Sequence, residues 1–211
     1  MTNLEVKKIV GDLPHMLLYQ ANEITDFIET NNIKNILELG FAHGVSTSYM
    51  AASLKRLNNS GNITTIDTIN AKKRVPNIEN LLKKIDALDS VNIFYEPNSY
   101  LWRLMKFLEE DSTPRFDLCY LDGAHSWSVD GFAFLLVDRL LKPGGWIIFD
   151  DINWTYDKSP TLKNTEYVKN MPEDEKITPQ IKKVFDLLVK THPNYHNFKE
   201  TKQWGYTQKK Y

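Results

Sequence analysis

The chain has 211 residues, of which 42% are hydrophobic and 25% are charged, and its formal net charge is −1. This mixture is typical of a globular protein with a core of its own, and it argues against global disorder. A single cysteine excludes an internal disulfide and a cysteine-rich metal site, and the neutral balance gives no overall electrostatic reason to bind nucleic acid. No apolar run approaches the length of a membrane span, so we expect a cytoplasmic protein without a membrane partner.

The charge is distributed unevenly along the chain. Residues 1–151 carry 15 basic and 20 acidic side chains, a balance of −5, whereas residues 152–211 carry 11 lysines and 7 acidic side chains, a balance of +4. The net charge of the sequence therefore changes from negative to positive near residue 151.

Hydrophobic periodicity predicts helices and strands that alternate along residues 15–151. In chain order we predict helix 15–31, strand 34–39, helix 46–57, a turn at 58–61, strand 62–67, helix 78–88, strand 91–95, helix 100–109, strand 116–121, helix 128–140, strand 146–149, an irregular stretch at 152–176, helix 179–190, and two short strands at 195–199 and 204–208. The alternation indicates an α/β fold, a doubly wound and mostly parallel sheet with helices on both faces, closed by a C-terminal antiparallel hairpin.

We predict one domain over residues 1–211. Its parts are an N-terminal helical segment at 1–33, a cofactor-binding core at 34–151, a lid at 152–178, and a C-terminal helix and hairpin at 179–211. The 152–178 connection is longer than ordinary loops, which are short, and it is either a lid over the substrate or a mobile surface loop.

The loop after the first predicted strand has the composition of a ligand-binding loop. Gly40 and Gly44 permit close backbone approach and left-handed conformations, and Ser46 can cap the following helix. Asp67 ends the second strand, where its carboxylate can accept hydrogen bonds from a ribose diol. Together these residues predict a nucleoside ligand. The glycine spacing does not match the G-x-G-x-x-G fingerprint of nicotinamide dinucleotide sites.

Three carboxylates and one imidazole follow two strands that should be neighbours in the sheet. Asp122 and His125 follow the fourth strand, and Asp150 and Asp151 follow the fifth. Because carboxylates in one cleft repel each other, a hard divalent cation such as Mg²⁺ would satisfy them and could also activate a substrate hydroxyl. His125 is the candidate general base, since histidine exchanges a proton readily near neutral pH.

The run Glu38-x-Gly40-x-x-x-Gly44-x-Ser46 resembles the first motif of class I S-adenosylmethionine-dependent methyltransferases. This resemblance implies their Rossmann-like, seven-stranded sheet and S-adenosylmethionine as cofactor. It further implies a cofactor site that holds the methionine end at Glu38 and the glycine loop and the ribose at Asp67. The residues so implied are Glu38, Gly40, Phe41, Gly44, Ser46, Asp67, Asn98, Ser99 and Asp122.

The stretch from Asp117 to Asp151 resembles the metal-dependent O-methyltransferases of sugar and natural-product modification, including the macrocin group. That resemblance implies Asp122, Asp150 and Asp151 as Mg²⁺ ligands and His125 as the base. The acceptor would be a small polyhydroxylated molecule such as a sugar or glycoside, and a homo-oligomer is possible. We expect the lysines of a lid at 152–178 to favour an acceptor that also carries phosphate or carboxylate.

Other interpretations of the same residues remain open. Asp122 and Asp150 could each cap a helix, and His125 could only hydrogen-bond within its loop. The protein could instead be a metal-independent methyltransferase acting on another acceptor, or a protein that binds S-adenosylmethionine without catalysis.

Overall fold

The computed structural model describes residues 1–57 and 61–210, so residues 58–60 of the predicted turn lie outside the described part. The α-helices are α1 (Asn3–Val10), α2 (Leu18–Thr30), α3 (Val45–Arg56), α4 (Ile78–Lys84), α5 (Tyr100–Glu110), α6 (Trp127–Leu140), α7 (Glu166–Lys169), α8 (Glu173–Ile177) and α9 (Gln180–Val184). The strands are β1 (Asn35–Leu39), β2 (Asn62–Thr68), β3 (Val91–Glu96), β4 (Phe116–Leu121), β5 (Leu141–Phe149), β6 (Tyr195–Glu200) and β7 (Gly205–Lys209).

The strands form one seven-stranded sheet in the order β3-β2-β1-β4-β5-β7-β6. Strands β1 to β5 pair in parallel, and β7 runs antiparallel to both β5 and β6. The predicted doubly wound sheet with a C-terminal hairpin is therefore confirmed. The strand order reverses between β1 and β4, and in such sheets ligands bind at the carboxyl ends of the strands flanking that point.

Apolar side chains cover the sheet on both faces. One buried cluster joins α1 to α4 to the sheet, with Ile24, Tyr49 and Leu81 among its members. A second joins α5, α6 and α9 to the opposite face through residues such as Leu104 and Phe134. Strand β1 shows why both faces are apolar, because its residues from Ile36 to Leu39 are all buried.

The N-terminal segment differs from its prediction. Helix α2 begins at Leu18 rather than at residue 15, because His15 has a φ of +84° and the Gln20 side chain accepts a hydrogen bond from the Leu17 amide. An additional helix, α1, precedes it, and Thr2 caps that helix reciprocally with Glu5. Its apolar side is short, which left the sequence pattern too weak to reveal it.

Three later segments also differ in detail. Helix α4 ends at Lys84, four residues before the predicted end, and Asp86 just beyond it has a φ of +54°. The predicted helix 179–190 starts as α9 and continues as a π-helix over Phe185–Val189. The 152–176 stretch is not irregular throughout, since it holds α7, α8 and a short 3₁₀ turn at Tyr156–Lys158.

Across residues 1–57 and 61–210, none of the helices is both long enough and apolar enough to cross a bilayer.

Candidate functional site

Two glycines shape the loop between β1 and α3. Gly40 has a φ of +89°, and a Cβ atom there would lie 2.1 Å from the Asp122 carbonyl oxygen, so the loops after β1 and β4 touch. Gly44 has a φ of +86°, and a Cβ there would meet Ile78 at 2.5 Å. Both positions therefore require glycine. The loop predicted to bind a ligand is held directly beside the acidic loop.

Asp67 braces the glycine loop from the end of β2. One oxygen of its carboxylate accepts hydrogen bonds from the Phe41 and Ala42 amides at 3.0 and 2.7 Å. Its other oxygen accepts from the Thr68 amide at 2.6 Å. Because Asp67 remains partly exposed, its spare lone pairs are available to a ligand in the same cleft.

Glu38 is fully buried beneath the loop. Its carboxylate accepts hydrogen bonds from Ser46 at 2.5 Å, from Thr47 at 2.6 Å and from Thr65 at 2.6 Å. Burial raises the pKa of Glu38 to about 7, although the three hydroxyl donors act in the opposite direction. Its side chain thus ties α3 and β2 to β1 inside the protein.

Ser46 does not cap α3, contrary to our expectation. The helix begins at Val45 with Gly44 as its N-cap, and the Ser46 hydroxyl is turned inward to Glu38. The N-terminal amides of the 12-residue α3 still face the glycine loop and make it a favourable place for a negative group. After β3, Asn98 is exposed and Ser99 caps α5 by accepting from the Leu101 amide at 3.2 Å.

The structure brings Asp122, His125 and Asp151 together at the exits of β4 and β5. His125 Nε2 lies 3.8 Å from Asp122 Oδ1 and 3.5 Å from Asp151 Oδ2. Burial and the neighbouring charge of Asp150 raise the pKa of Asp122 well above its usual range and that of Asp151 to about 6. No lysine or arginine of the described chain forms an ion pair with either carboxylate, so His125 is their one ionisable basic neighbour there.

Asp150 has a different environment from the other two acids, because it is almost completely buried. One oxygen accepts from Tyr120 at 2.9 Å. The other accepts from the Trp204 indole at 2.5 Å, the Asp151 amide at 2.8 Å and Gln203 at 3.5 Å. Gln203 also donates to Asp151 Oδ1. The hairpin turn before β7 therefore fixes both acids that follow β5.

These contacts decide which carboxylates suit a cation. Among the residues that the structure describes, no group of three or more His, Cys, Asp or Glu side chains is arranged to hold a metal ion. Asp122 and Asp151 nevertheless share one cleft, and Mg²⁺ is commonly held by only one or two carboxylates together with waters. An oxygen donor pair that lacks positive charge fits such an ion, whereas Asp150 is engaged by the protein.

Aromatic rings from the 152–178 segment form one wall beside His125. The Trp154 ring lies 5.2 Å from the His125 ring and 4.7 Å from Tyr156, and Tyr156 lies 6.0 Å from Tyr167. The Tyr156 hydroxyl donates to the Ala124 carbonyl at 3.3 Å. The segment predicted as a lid is therefore anchored against the loop that carries His125.

Two cavities open on this segment, and neither is lined by Asp122 or His125. One of about 480 Å³ is lined by Trp127, Ser128, Asp174, Glu175, Thr178, Gln180 and Lys183. The other, of about 460 Å³, is lined by Glu166, Tyr167, Asn170, Met171, Pro172 and Glu175. Both are large enough for a small molecule.

The lid at 152–178 bears lysines as expected, but they are not in excess. Residues 152–178 carry 4 lysines against 5 acidic side chains, a balance of −1, so the lysine excess lies in residues 179–211. Within the lid, Lys169 pairs with Glu166 at 3.1 Å and Lys176 with Glu173 at 3.4 Å. The basis for expecting an anionic acceptor is thereby removed.

The residues that hold the acidic loops in place were not predicted from the sequence. Gln203 and Trp204 reach Asp150 from more than 50 positions along the chain, and no local motif marks them. Tyr100 and Asp130 bind the loop that carries His125. Asp130 could have been found from its position in the first turn of α6, where an acid often accepts from backbone amides. Nothing in the sequence marks Tyr100.

The profile of a family described as "Methyltransferase domain" matches residues 37–152, more than half of the chain. The matched range runs from β1 through the acid pair after β5, and so contains both loops described above. No curated protein sequence matches this chain.

Many solved structures share the fold. An O-methyltransferase from Bacillus cereus in complex with SAH has a TM-score of 0.67 at 20% identity, with 98% of this chain and 88% of that chain covered. The SAH-bound methyltransferase PaMTH1 of Podospora anserina has a TM-score of 0.70 at 18% identity, with coverages of 99% and 88%. TomG of Streptomyces achromogenes, an O-methyltransferase of tomaymycin synthesis in complex with SAM, has 0.66 at 16% identity, with coverages of 98% and 87%. At these identities the likeness shows the fold.

Proposed function

Because the chain belongs to the methyltransferase domain family, we propose that it transfers a methyl group from S-adenosylmethionine to a hydroxyl oxygen of a small acceptor. One observation carries the proposal: the glycine loop after β1 and the acidic loop after β4 touch at Gly40 and Asp122. A donor in the first loop and an acceptor at the second would therefore be neighbours. The structural relatives described as O-methyltransferases bound to SAM or SAH support the same reaction class.

The donor would occupy the cleft lined by the glycine loop. We assign its ribose hydroxyls to Asp67, whose carboxylate is partly exposed, and its carboxylate to the N-terminal end of α3. Phe41 and the backbone at Gly40 and Gly44 would border it, with Asn98 and Ser99 toward the nucleoside. Glu38 and Ser46 act from beneath by holding the loop, since their side chains hydrogen-bond to each other in the interior.

The acceptor hydroxyl would lie between His125 and the donor methyl. In an in-line displacement the acceptor oxygen would attack the methyl carbon of the donor, and the carbon–sulfur bond would break with its electron pair passing to sulfur to give S-adenosylhomocysteine. The hydroxyl proton passes to His125 Nε2, and the nearby carboxylates of Asp122 and Asp151 stabilise the imidazolium that forms. Positioning of the two reactants supplies much of the rate.

We propose Asp122 and Asp151 as ligands of Mg²⁺, and Asp150 as the buried carboxylate that orients its neighbour. When bound, the cation lowers the pKa of the acceptor hydroxyl and neutralises the acid cluster. Support comes from the lack of a lysine or arginine ion pair at either proposed ligand in the described part of the chain, and from their pKa values, which burial and the Asp150 charge raise.

For the acceptor we propose a polyhydroxylated molecule such as a sugar or glycoside. The partly exposed Trp154 ring offers a flat apolar face beside His125, on which the C–H face of a sugar ring can pack.

A transfer assay tests these assignments. Release of S-adenosylhomocysteine would be measured with methyl glucoside, with catechol, and with an amine and a thiol probe as acceptors, each in MgCl₂ and in EDTA. We expect release that requires Mg²⁺. Equal rates in EDTA would identify a metal-independent methyltransferase, and methylation of amine or thiol probes alone would contradict the oxygen acceptor.

A further inference from the structure

The loop that carries His125 has an unusual backbone conformation. His125 has a φ of +53°, in the left-handed region that few residues other than glycine adopt. Such a conformation persists only where the surrounding structure holds it. The residues on either side of His125 show how it is held.

Two buried side chains hold the loop before and after His125. On one side, the Ala124 amide donates to the Tyr100 hydroxyl at 3.2 Å. On the other, the Ser126 amide donates to Asp130 Oδ2 at 2.8 Å. The Tyr100 hydroxyl in turn donates to Asp130 Oδ1, which joins the two contacts. Tyr100 is 5% exposed and Asp130 is 0% exposed.

A helix cap explains only part of this arrangement. Ser126 is the N-cap of α6, and a carboxylate in the first turn that accepts from the N-cap amide is a common capping device. Capping does not require a tyrosine from α5 that also binds the amide before His125. The Tyr100 ring further lies under Gly123, where a Cβ would meet it at 2.3 Å.

We propose that Tyr100 and Asp130 form a clamp that positions the His125 imidazole for proton transfer. The proposal rests on the assignment of His125 as the general base, and it adds two positioning residues to that assignment. Neither side chain needs to touch donor or acceptor, because both act through the amides that flank His125.

Tyr100→Phe tests the clamp with little change in volume. It removes the hydroxyl that joins the Ala124 amide to Asp130. The matched control is Tyr195→Phe, because the Tyr195 hydroxyl donates to Asp138 at 2.9 Å and Tyr195 is also buried. Tyr195 pairs with Lys209 at the end of β7 remote from the exits of β4 and β5. Both variants remove a hydrogen bond from a buried tyrosine to a carboxylate, but only one of the two tyrosines lies at the site.

The first readout needs no acceptor. The imidazole Cε1–H signals of the protein, which has 5 histidines, would be recorded by NMR at one pH, with the His125 signal identified by its loss in His125→Ala. We expect the His125 signal to shift or split in Tyr100→Phe and to stay in place in Tyr195→Phe. Asp130→Asn is the second variant, and it should also move the signal. An unchanged His125 signal in both clamp variants would overturn the proposal.

The second readout is turnover with the acceptor that reacts in the transfer assay. A displaced base should lower kcat by about 10- to 100-fold while KM for donor and acceptor changes less than about twofold. His125→Ala alone should lower kcat by about 100-fold or more. In the double variant, Tyr100→Phe should add no further loss, since its effect passes through His125.

The outcomes separate the clamp from the assignment on which it rests. If His125→Ala keeps full turnover, the base assignment fails and the clamp with it. If His125→Ala loses turnover but Tyr100→Phe and Asp130→Asn do not, the clamp alone is wrong. A loss from Tyr100→Phe that is equally large in the His125→Ala background also contradicts it, because the tyrosine would then act independently of the histidine.

Discussion

Acidic side chains occur on both sides of the cleft, but their environments differ. On the donor side, Glu38 accepts hydrogen bonds from three hydroxyls and Asp67 from three backbone amides. On the acceptor side, Asp122 and Asp151 face a histidine and each other, without a lysine or arginine partner in the described part of the chain. The donor-side acids use most of their capacity inside the protein, whereas both acceptor-side acids stay partly exposed and Asp151 accepts from the Gln203 side chain.

The difference shows how residues of one type come to serve different purposes. A carboxylate surrounded by donors belongs to the scaffold and keeps a loop in shape. A partly exposed carboxylate with few donors, such as Asp122, indicates a site at which charge remains to be compensated by a ligand. Asp150 shows that both kinds occur side by side, because it lies next to Asp151 and yet is saturated by Tyr120, Trp204 and Gln203.

The largest effect should come from the acceptor side. We expect Asp122→Asn to lower the rate of methyl transfer by about 100- to 1,000-fold, since metal-assisted charge stabilisation contributes several kcal/mol. Donor affinity, measured by calorimetry, should change little. Asp117→Asn is the control, because Asp117 lies near the other end of β4 and accepts from the Asn35 amide and Lys142. Comparable losses of rate in both variants would mean that Asp122 has no special part in methyl transfer.

An effect on stability should come from Glu38. Its folded pKa of about 7 lies above the ordinary value of 4.5, so the unfolded chain binds fewer protons between these two pH values. The contribution of Glu38 is therefore fully present below pH 4.5 and is lost as the pH rises to about 7. Over that range the free energy of unfolding should fall by up to about 3 kcal/mol.

Glu38→Gln isolates this contribution from those of the other acids. Denaturant unfolding at several pH values should give a flatter curve for the variant than for the wild type. If the two curves run parallel between pH 4.5 and 7, Glu38 ionises normally and its burial has no electrostatic consequence.

A smaller effect should come from Asp67, which the donor is proposed to contact. Loss of a charge-assisted hydrogen bond in Asp67→Asn should raise the Kd for S-adenosylmethionine roughly tenfold. The rate at saturating donor should be retained. Asp89→Asn, at an exposed acid outside the cleft, provides the reference for donor titrations. A lower rate with unchanged donor affinity would place Asp67 on the acceptor side instead.

The doubly wound sheet could be predicted from the sequence because each strand and helix has its own local hydrophobic pattern. Polar and glycine residues at the strand exits also marked both loops, and Gly40 and Asp122 do meet in space. Helix α1 and the left-handed His15 were not predictable, since a short helix and a single positive φ leave little trace in periodicity.

The roles of the acids were harder to predict than their positions. The partners of Glu38 come from α3 and β2, and those of Asp150 come from the C-terminal hairpin. Ser46 was expected to cap α3 because serine often does so. Gly44 is the N-cap of that helix instead, and the Ser46 hydroxyl donates to Glu38. Such outcomes depend on tertiary contacts that no single segment encodes.

Calorimetric titration of the protein with S-adenosylmethionine, and separately with NAD, is the decisive test of whether the cleft binds a methyl donor. We expect one S-adenosylmethionine bound per chain and no comparable binding of NAD. Absence of S-adenosylmethionine binding at millimolar concentration, or tighter binding of NAD, would contradict it.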